Sequence, residues 1–193
     1  MDSPARAAAG IVIESRGGDE ARGLADVVSG LYQAVFSLPP FSGDDAEFAG
    51  QRSYYPVMTE RPGFRLTTAR AGNERVGFGY GFLLPPDTRW WSGLADPVSG
   101  EFAQEDGHRT FALIDFGVLS AWRGHGVGRA IHDELLAGSG ARRATLSVQP
   151  KAAETQEIYR RWGWRKVSSR EMDPPVPAPV FDILVLEAMP VTR

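Results

Sequence analysis

Phe111-Ala112-Leu113-Ile114-Asp115-Phe116-Gly117-Val118-Leu119, followed by Ser120-Ala121-Trp122 and then Arg123-Gly124-His125-Gly126-Val127-Gly128, decides the fold. The first run is apolar and strand-like, and a helix-like run from Val127 to Ala137 leads out of the glycines. Three glycines alternate where a strand must turn into a helix. Glycine reaches backbone angles closed to other residues and lets a ligand approach the amides closely. The helix start adds unpaired N–H donors and the positive end of the helix dipole. Together they make an anion site, with Arg123 able to add a charge-assisted contact. The ligand expected here carries phosphate.

The turn lacks the Gly-Lys-Ser/Thr ending of a nucleoside-triphosphate loop. It also lies late in the chain, outside an opening βαβ unit with an acidic residue about 20 positions on, as a dinucleotide fold requires. It resembles instead the Arg/Gln-x-x-Gly-x-Gly/Ala turn of the GNAT acyl-CoA-dependent N-acetyltransferases. The resemblance continues through Val118 to Trp122 before the turn and Arg129-Ala130-Ile131-His132 after it. It runs on through Ala144 to Val148 and into Ile158-Tyr159-Arg160-Arg161-Trp162-Gly163-Trp164, similar to the family's Leu-Tyr-x-x-x-Gly-Phe helix end. It covers about residues 110–167.

The resemblance implies that the turn binds the pyrophosphate of coenzyme A, with acetyl-CoA as co-substrate and the segment Arg123, Gly124, His125, Gly126, Val127, Gly128 and Arg129 around it. It makes Phe116, Gly117 and Val118 the carbonyl-facing segment, with the Val118 N–H as oxyanion donor and Gly117 easing a bulge or close approach. It puts Tyr159 near the sulfur, where a phenol can protonate a departing thiolate; otherwise Tyr159 is a core tyrosine packed with Ile158 and Trp162. Members often carry an Asn one or two turns before this Tyr. Here Lys151-Ala152-Ala153-Glu154-Thr155 has none, so Gln149, Glu154 or a water replaces it, or the contact is missing.

Asp115 is a carboxylate inside an otherwise apolar strand. Burial raises its proton affinity and makes it a better base. A paired Asp at the sheet rim is the plainer reading, and Glu14, Glu101, Glu105 and Asp106 are weaker rivals. Tyr54, Tyr55, Trp90 and Trp91 are candidate walls of the acceptor pocket, because the second helix and a long loop border that pocket in the family. A core cluster is the alternative for each.

The remaining elements follow from periodicity. Ile11-Val12-Ile13 is a short strand, and Leu24, Val27, Val28, Leu31 and Val35 form one helical face stopped by Pro39-Pro40. Asp44 or Asp45 caps a helix reaching about Tyr54. Strands are expected at Phe64–Ala69 and Arg75–Leu84, a polar loop at Pro85–His108, a strand at Thr110–Leu119 and a helix at Val127–Ala137. Arg143–Val148, Ala152–Trp162, Trp164–Ser169 and Phe181–Glu187 give strand, helix, strand and strand, with Asp173 to Pro179 a stiff connection. The expected fold is α/β (α+β): a mixed, mostly antiparallel, twisted GNAT-like sheet of six to seven strands with helices on both faces. Residues 1–9 read as a disordered lead and 10–193 as a single domain.

Composition narrows the function classes. The 193 residues carry a net charge of −3, with 42% hydrophobic and 23% charged residues, so nothing basic points to nucleic acid. No apolar run is long enough for a membrane span, and Ala5–Gly10 is too short for a secretory signal, so the cytoplasm is expected. Cysteine is absent, which removes disulfides, thiolate metal sites and a cysteine nucleophile. His108, His125 and His132 have no metal-ligand spacing, and no metal is expected. The function expected is transfer of an acetyl group from acetyl-CoA to a primary amine of a small molecule or peptide, by direct attack in a ternary complex. The alternatives are a non-catalytic acyl-CoA-binding sensor and, third, a nucleotide-binding regulatory domain. The last strands could pair with a second copy, since dimers are common in the family.

Overall fold

The computed structural model describes residues 10–172 and 178–190. The lead expected at 1–9 and most of the connection expected at 173–179 lie outside the described residues. The elements are β1 (Ile11–Gly17), α1 (Gly18–Arg22), α2 (Ala25–Phe36), α3 (Asp45–Met58), β2 (Arg65–Ala71), β3 (Glu74–Leu83), α4 (Gly100–Ala103), β4 (Thr110–Val118), α5 (Val127–Ala137), β5 (Arg143–Val148), α6 (Ala153–Arg161), β6 (Arg165–Glu171) and β7 (Val180–Leu186). A 3₁₀ turn at Ser120–Trp122 joins β4 to the glycine turn.

The strands form one sheet in the order β1-β2-β3-β4-β5-β7-β6. Every pairing is antiparallel except β4 with β5. Apolar side chains of α2, α3 and the loop after β3 pack on one face, with Tyr55, Met58, Trp91 and Leu94 among them. Those of α5 and α6 pack on the other, around Leu135, Leu136 and Tyr159. The apolar face expected at Leu24–Val35 lies along α2, with Leu24 as its N-cap, and α1 is a separate short helix that ends before Gly23. Asp44 caps α3 by accepting from the Glu47 N–H at 2.8 Å. That helix runs on past Tyr54 through Pro56 to Met58.

Two features of the central strands position the site. On β3, Val76, Phe78 and Tyr80 are fully buried, and the glycines alternate with them. A Cβ at Gly77 would lie 2.8 Å from Ile131 Cδ1, and one at Gly79 2.8 Å from Phe116 and 3.3 Å from Leu135. The bare strip lets α5 lie close against the sheet. On β4, Tyr80 pairs with Asp115 and Gly81 with Leu113, so Ile114 is a bulge. A one-residue slip flips the side chains that follow to the other face. Leu113 packs with Leu135 on the α5 side. Beyond the bulge, Asp115 meets Tyr80, and Gly117 backs onto Val35 of α2. The close approach expected at Gly117 is thus present, while the bulge lies three residues earlier.

The loop from Pro85 to His108 contains the short α4 and is pinned. Arg143 donates to the Phe102 carbonyl at 2.7 Å, to Glu105 Oε1 at 2.8 Å and to Thr110 Oγ1 at 2.7 Å. Its guanidinium lies 4.4 Å from the Phe102 ring centroid and 5.0 Å from that of Trp91. Ala95 N–H donates to Ser169 O and Asp96 N–H to Ser168 Oγ, both at 2.9 Å, which covers the edge of β6.

Gly79→Val should destabilise the fold by about 1–3 kcal/mol through overpacking against Phe116 and Leu135, although valine is the better strand residue. Urea unfolding monitored by tryptophan fluorescence measures it. Equal or greater stability would show that the helix does not depend on the bare strip.

Candidate active site

β4 pairs with β5 over Thr110–Leu113 against Arg143–Leu146, and then the two strands part. Beyond that point Ile114 to Val118 keep β3 on one side and open to a gap on the other. The Leu119 N–H bonds to Val76 O on β3 at 2.9 Å. Because strand amides alternate in direction, the Val118 N–H points toward the gap. The Val118 carbonyl accepts from Arg123 Nε at 3.1 Å, which ties the glycine turn to the end of the strand.

In the turn, Gly124 and Gly126 both have φ of +77°. A residue with a Cβ is strained there, and Gly126 serves as the N-cap of α5. The first intrahelical bond is Ala130 N–H to Gly126 O, so the N–H groups of Val127, Gly128 and Arg129 have no acceptor within the helix. Arg129 stacks over Trp162 and donates from Nε to Asp133 Oδ2 at 2.6 Å. Asp133 also accepts from the buried His132. His132 in turn receives the Trp164 indole N–H on Nε2 at 3.0 Å, which fixes its proton on Nδ1. Burial lowers the His132 pKa and keeps the ring neutral. The ring of His125 is exposed and turns back to the Arg123 carbonyl, at 2.8 Å.

Two cavities meet at the gap. The larger, about 870 Å³, runs past Val118, Arg123, Gly124, Gly126, Gly128 and Arg129, with Lys151 and Arg161 on its other bank. Its donors and cations suit a ligand with several phosphates. Glu154 and Thr155 face it from the stretch without an asparagine. The smaller, about 380 Å³, is lined by Tyr32, Glu47, Tyr54, Trp90, Asp115 and Arg170 among others. Phe116 and Tyr159 border both cavities. Tyr159 comes from the α6 face and Asp115 from the α2 face; only a hole in the sheet lets both reach one place.

Asp115 is held by a hydrogen bond from the Tyr80 hydroxyl. Burial is the largest influence on its pKa and raises it to about 6, while the Tyr80 bond acts the other way. Burial and the nearby Asp115 charge push the Tyr159 phenol well above its usual value, so it stays protonated. Glu47 accepts from Tyr32 at 2.8 Å.

Several expected residues lie elsewhere. Tyr55 is fully buried and donates to Ala21 O at 3.1 Å, and Trp91 is buried against Glu105 at 2.8 Å; neither lines a cavity described above. Glu105 is committed to Arg143, Asp106 to Arg142, and Glu14 to Arg16, Arg70 and Arg75. Among the described residues no group of three or more His, Cys, Asp and Glu could hold a metal ion, and no helix is long and apolar enough to cross a membrane. Glu47, Tyr32, Arg170, Lys151 and Arg161 are additions. Only Lys151 and Arg161, beside the Tyr159 motif, had a sequence signal.

The chain matches the model of the acetyltransferase (GNAT) family over residues 31–164. This chain belongs to the GNAT acetyltransferase family. No curated protein sequence matches it. Its fold is similar to that of an acetyltransferase from Thermus thermophilus, at 15% identity and a TM-score of 0.62, over 94% of this chain and 99% of that one. It is similar to the ribosomal-protein-S18-alanine N-acetyltransferase from Escherichia coli, at 14% identity and a TM-score of 0.58, over 95% and 97% of the two chains. It also resembles the PaiA N-acetyltransferase from Thermoplasma acidophilum in complex with coenzyme A, at 10% identity and a TM-score of 0.55, over 92% and 98%. The GNAT chain is thus an acyltransferase whose family uses acetyl-CoA, and its sheet is the mixed, mostly antiparallel one with helices on both faces.

In this GNAT site the Asp115 carboxyl is expected to titrate near pH 6 by carbon-detected NMR. Tyr80→Phe removes a donor to the carboxylate and should move the midpoint higher. An unchanged or lower midpoint would mean that the Tyr80 hydrogen bond does not stabilise the charged form.

Proposed function

We propose that this GNAT protein transfers an acetyl group from acetyl-CoA to the primary amine of a small molecule, by direct attack with both substrates bound. The observation that carries this reading is the meeting of a phosphate-type groove and a carboxylate-bearing pocket at Phe116 and Tyr159. The Gly124–Arg129 amides and the Arg123, Arg129, Lys151 and Arg161 cations hold the phosphate end. Acetyl-CoA supplies the activated acyl carbon. The amine enters from the smaller cavity, where Tyr54 and Trp90 form walls.

Asp115 draws the ammonium form of the amine into place and takes a proton from it; at pH 7 a carboxyl with a pKa of about 6 is mostly ionised. The Val118 N–H faces the carbonyl oxygen and stabilises the charge that develops there. Tyr159, with its raised pKa, gives its proton to the departing sulfur. Binding both partners across one gap supplies orientation as well.

Calorimetric titration with acetyl-CoA, followed by a screen of amines for free thiol release, tests the reading. Micromolar binding, about −8 kcal/mol, and product with at least one amine are expected. ATP or NAD binding in preference to acetyl-CoA would sink it.

Two substitutions separate the roles. Gly126→Ala strains the helix start by about 1–2 kcal/mol and should weaken acetyl-CoA binding by up to about tenfold. Tyr159→Phe should lower kcat by about 10²-fold or more while acetyl-CoA affinity stays within about twofold. Unchanged turnover would remove Tyr159 from the proton transfer.

A further inference from the structure

The acceptor cavity carries charges of both signs. Asp115 of β4 and Glu47 of α3 line it with Tyr32 and Tyr54, and Arg170 of β6 lines it too, beside Phe181 and Met172. Asp115 and Glu47 are already occupied in part by phenols, since Tyr80 donates to one and Tyr32 to the other. Arg170 makes no ion pair among the described residues. Its guanidinium lies 6.0 Å from the Trp90 ring centroid and donates to the Trp90 carbonyl. Its Nε is buried with no hydrogen-bond partner among those residues.

An arginine that gives up part of its hydration needs anionic or carbonyl oxygen in return. One carbonyl answers one arm of the fork, which leaves donors for a planar anion. Arg170 is the one cation among the described residues lining this cavity, so it matches a single negative charge rather than a phosphate-rich group. A polyamine fits poorly, since it would set a second ammonium against a guanidinium.

We propose that the acceptor is a small amino carboxylate, whose ammonium group is taken by the Asp115 and Glu47 side of the cavity and whose carboxylate is bound by Arg170. The inference rests on the acetyl-transfer reading above and names its substrate class. Arg170 is a specificity-determining residue: it binds the end of the acceptor that does not react. Amine attack on the thioester carbon forms the amide bond, the C–S bond breaks, and the product is an N-acetylated amino carboxylate plus free thiol. The bound ammonium gives its first proton to Asp115, which releases it to solvent, and the second, lost as the amide forms, balances the one gained by the sulfur. No oxidant, reductant or further reactant is needed.

The test uses the full chain, acetyl-CoA and matched pairs of α-, β- and ω-amino acids with their carboxamides, read as kcat/KM for thiol release. At least one amino carboxylate should be favoured over its amide by about 10- to 100-fold, the range of a hydrogen bond to a charged group. The amide's amine is the less basic one, so more of it is unprotonated at neutral pH; amine reactivity alone does not produce this preference. Arg170→Gln should erase the preference through KM, with acetyl-CoA affinity within about twofold, and Arg170→Lys should restore part of it.

Because Arg170 also holds Trp90, thermal melts with and without acetyl-CoA accompany each variant. If Arg170→Gln does not fold, the wild-type panel and Arg170→Lys decide, and a reduced preference in the folded lysine variant is the expected result. Turnover of amides or uncharged amines alone overturns the inference and leaves acetyl transfer standing. So does a full carboxylate preference kept in a folded Arg170→Gln or, where that variant fails to fold, in Arg170→Lys. No turnover of any amine overturns both.

Discussion

Everything at this site depends on the parting of two parallel strands. β4 and β5 are paired only as far as Leu113 and Leu146. Past that point the facing edge of β4 has backbone groups without a strand partner, and buried backbone groups need one. The Arg123 side chain supplies it for the Val118 carbonyl. The amide of the same residue points into the same gap, which is where the proposed reaction puts the substrate carbonyl. The same opening joins the two cavities, so one irregularity in the sheet provides the donor, the passage and the meeting point.

A second constraint decides which side chains reach that point. Without the bulge at Ile114, Asp115 would share a face with Leu113 and pack toward α5. With it, Asp115 lies opposite Tyr80 on the face of α2 and α3, while Phe116 turns toward Gly79 and Trp162. The bulge therefore sends the Asp115 carboxylate to the smaller cavity and the Phe116 ring toward the groove. The bare strip of β3 works with it, since α5 must sit close to the sheet for its first turn to border the gap.

Much of this was legible in the sequence because it is local. The glycine turn announces itself by residues that tolerate positive φ, and the helix after it by its apolar spacing. The strands and the long helices fall within a few residues of their expected limits. The residues expected as acceptor walls were harder to place. In α3 the buried residues Gln51, Tyr55 and Met58 set the phase, which turns Tyr55 inward and leaves Tyr54 at the cavity. A helix expected to stop near Tyr54 does not show that phase. Trp90 and Trp91 separate for a different reason: Trp91 is claimed by Glu105 and Arg143, partners 14 and 52 residues away by number. Glu47 and Arg170 come to line one cavity only through the tertiary fold, and no spacing in the sequence links them.

The loop between β3 and β4 illustrates how a long irregular segment can be rigid. Length and polarity alone suggest mobility. Here a nearly buried Arg143–Glu105 pair, closed by Thr110 and two aromatic rings, fastens its far end. Such a pair adds little net stability, because desolvation offsets much of the attraction, but breaking it strands a buried charge. It therefore acts as a positional lock. Trp90, at the near end, gives its indole N–H to Thr145 on β5 at 3.0 Å, and Thr145 donates to Leu184 on β7. Its ring and carbonyl then hold Arg170 of the edge strand. The orientation of that guanidinium is thus set by the loop, and the loop by a lock outside the cavity. This segment serves as a fixed wall of the smaller cavity, and on the proposed reading the preference of the site for one end of its substrate is built into the core on which that wall rests.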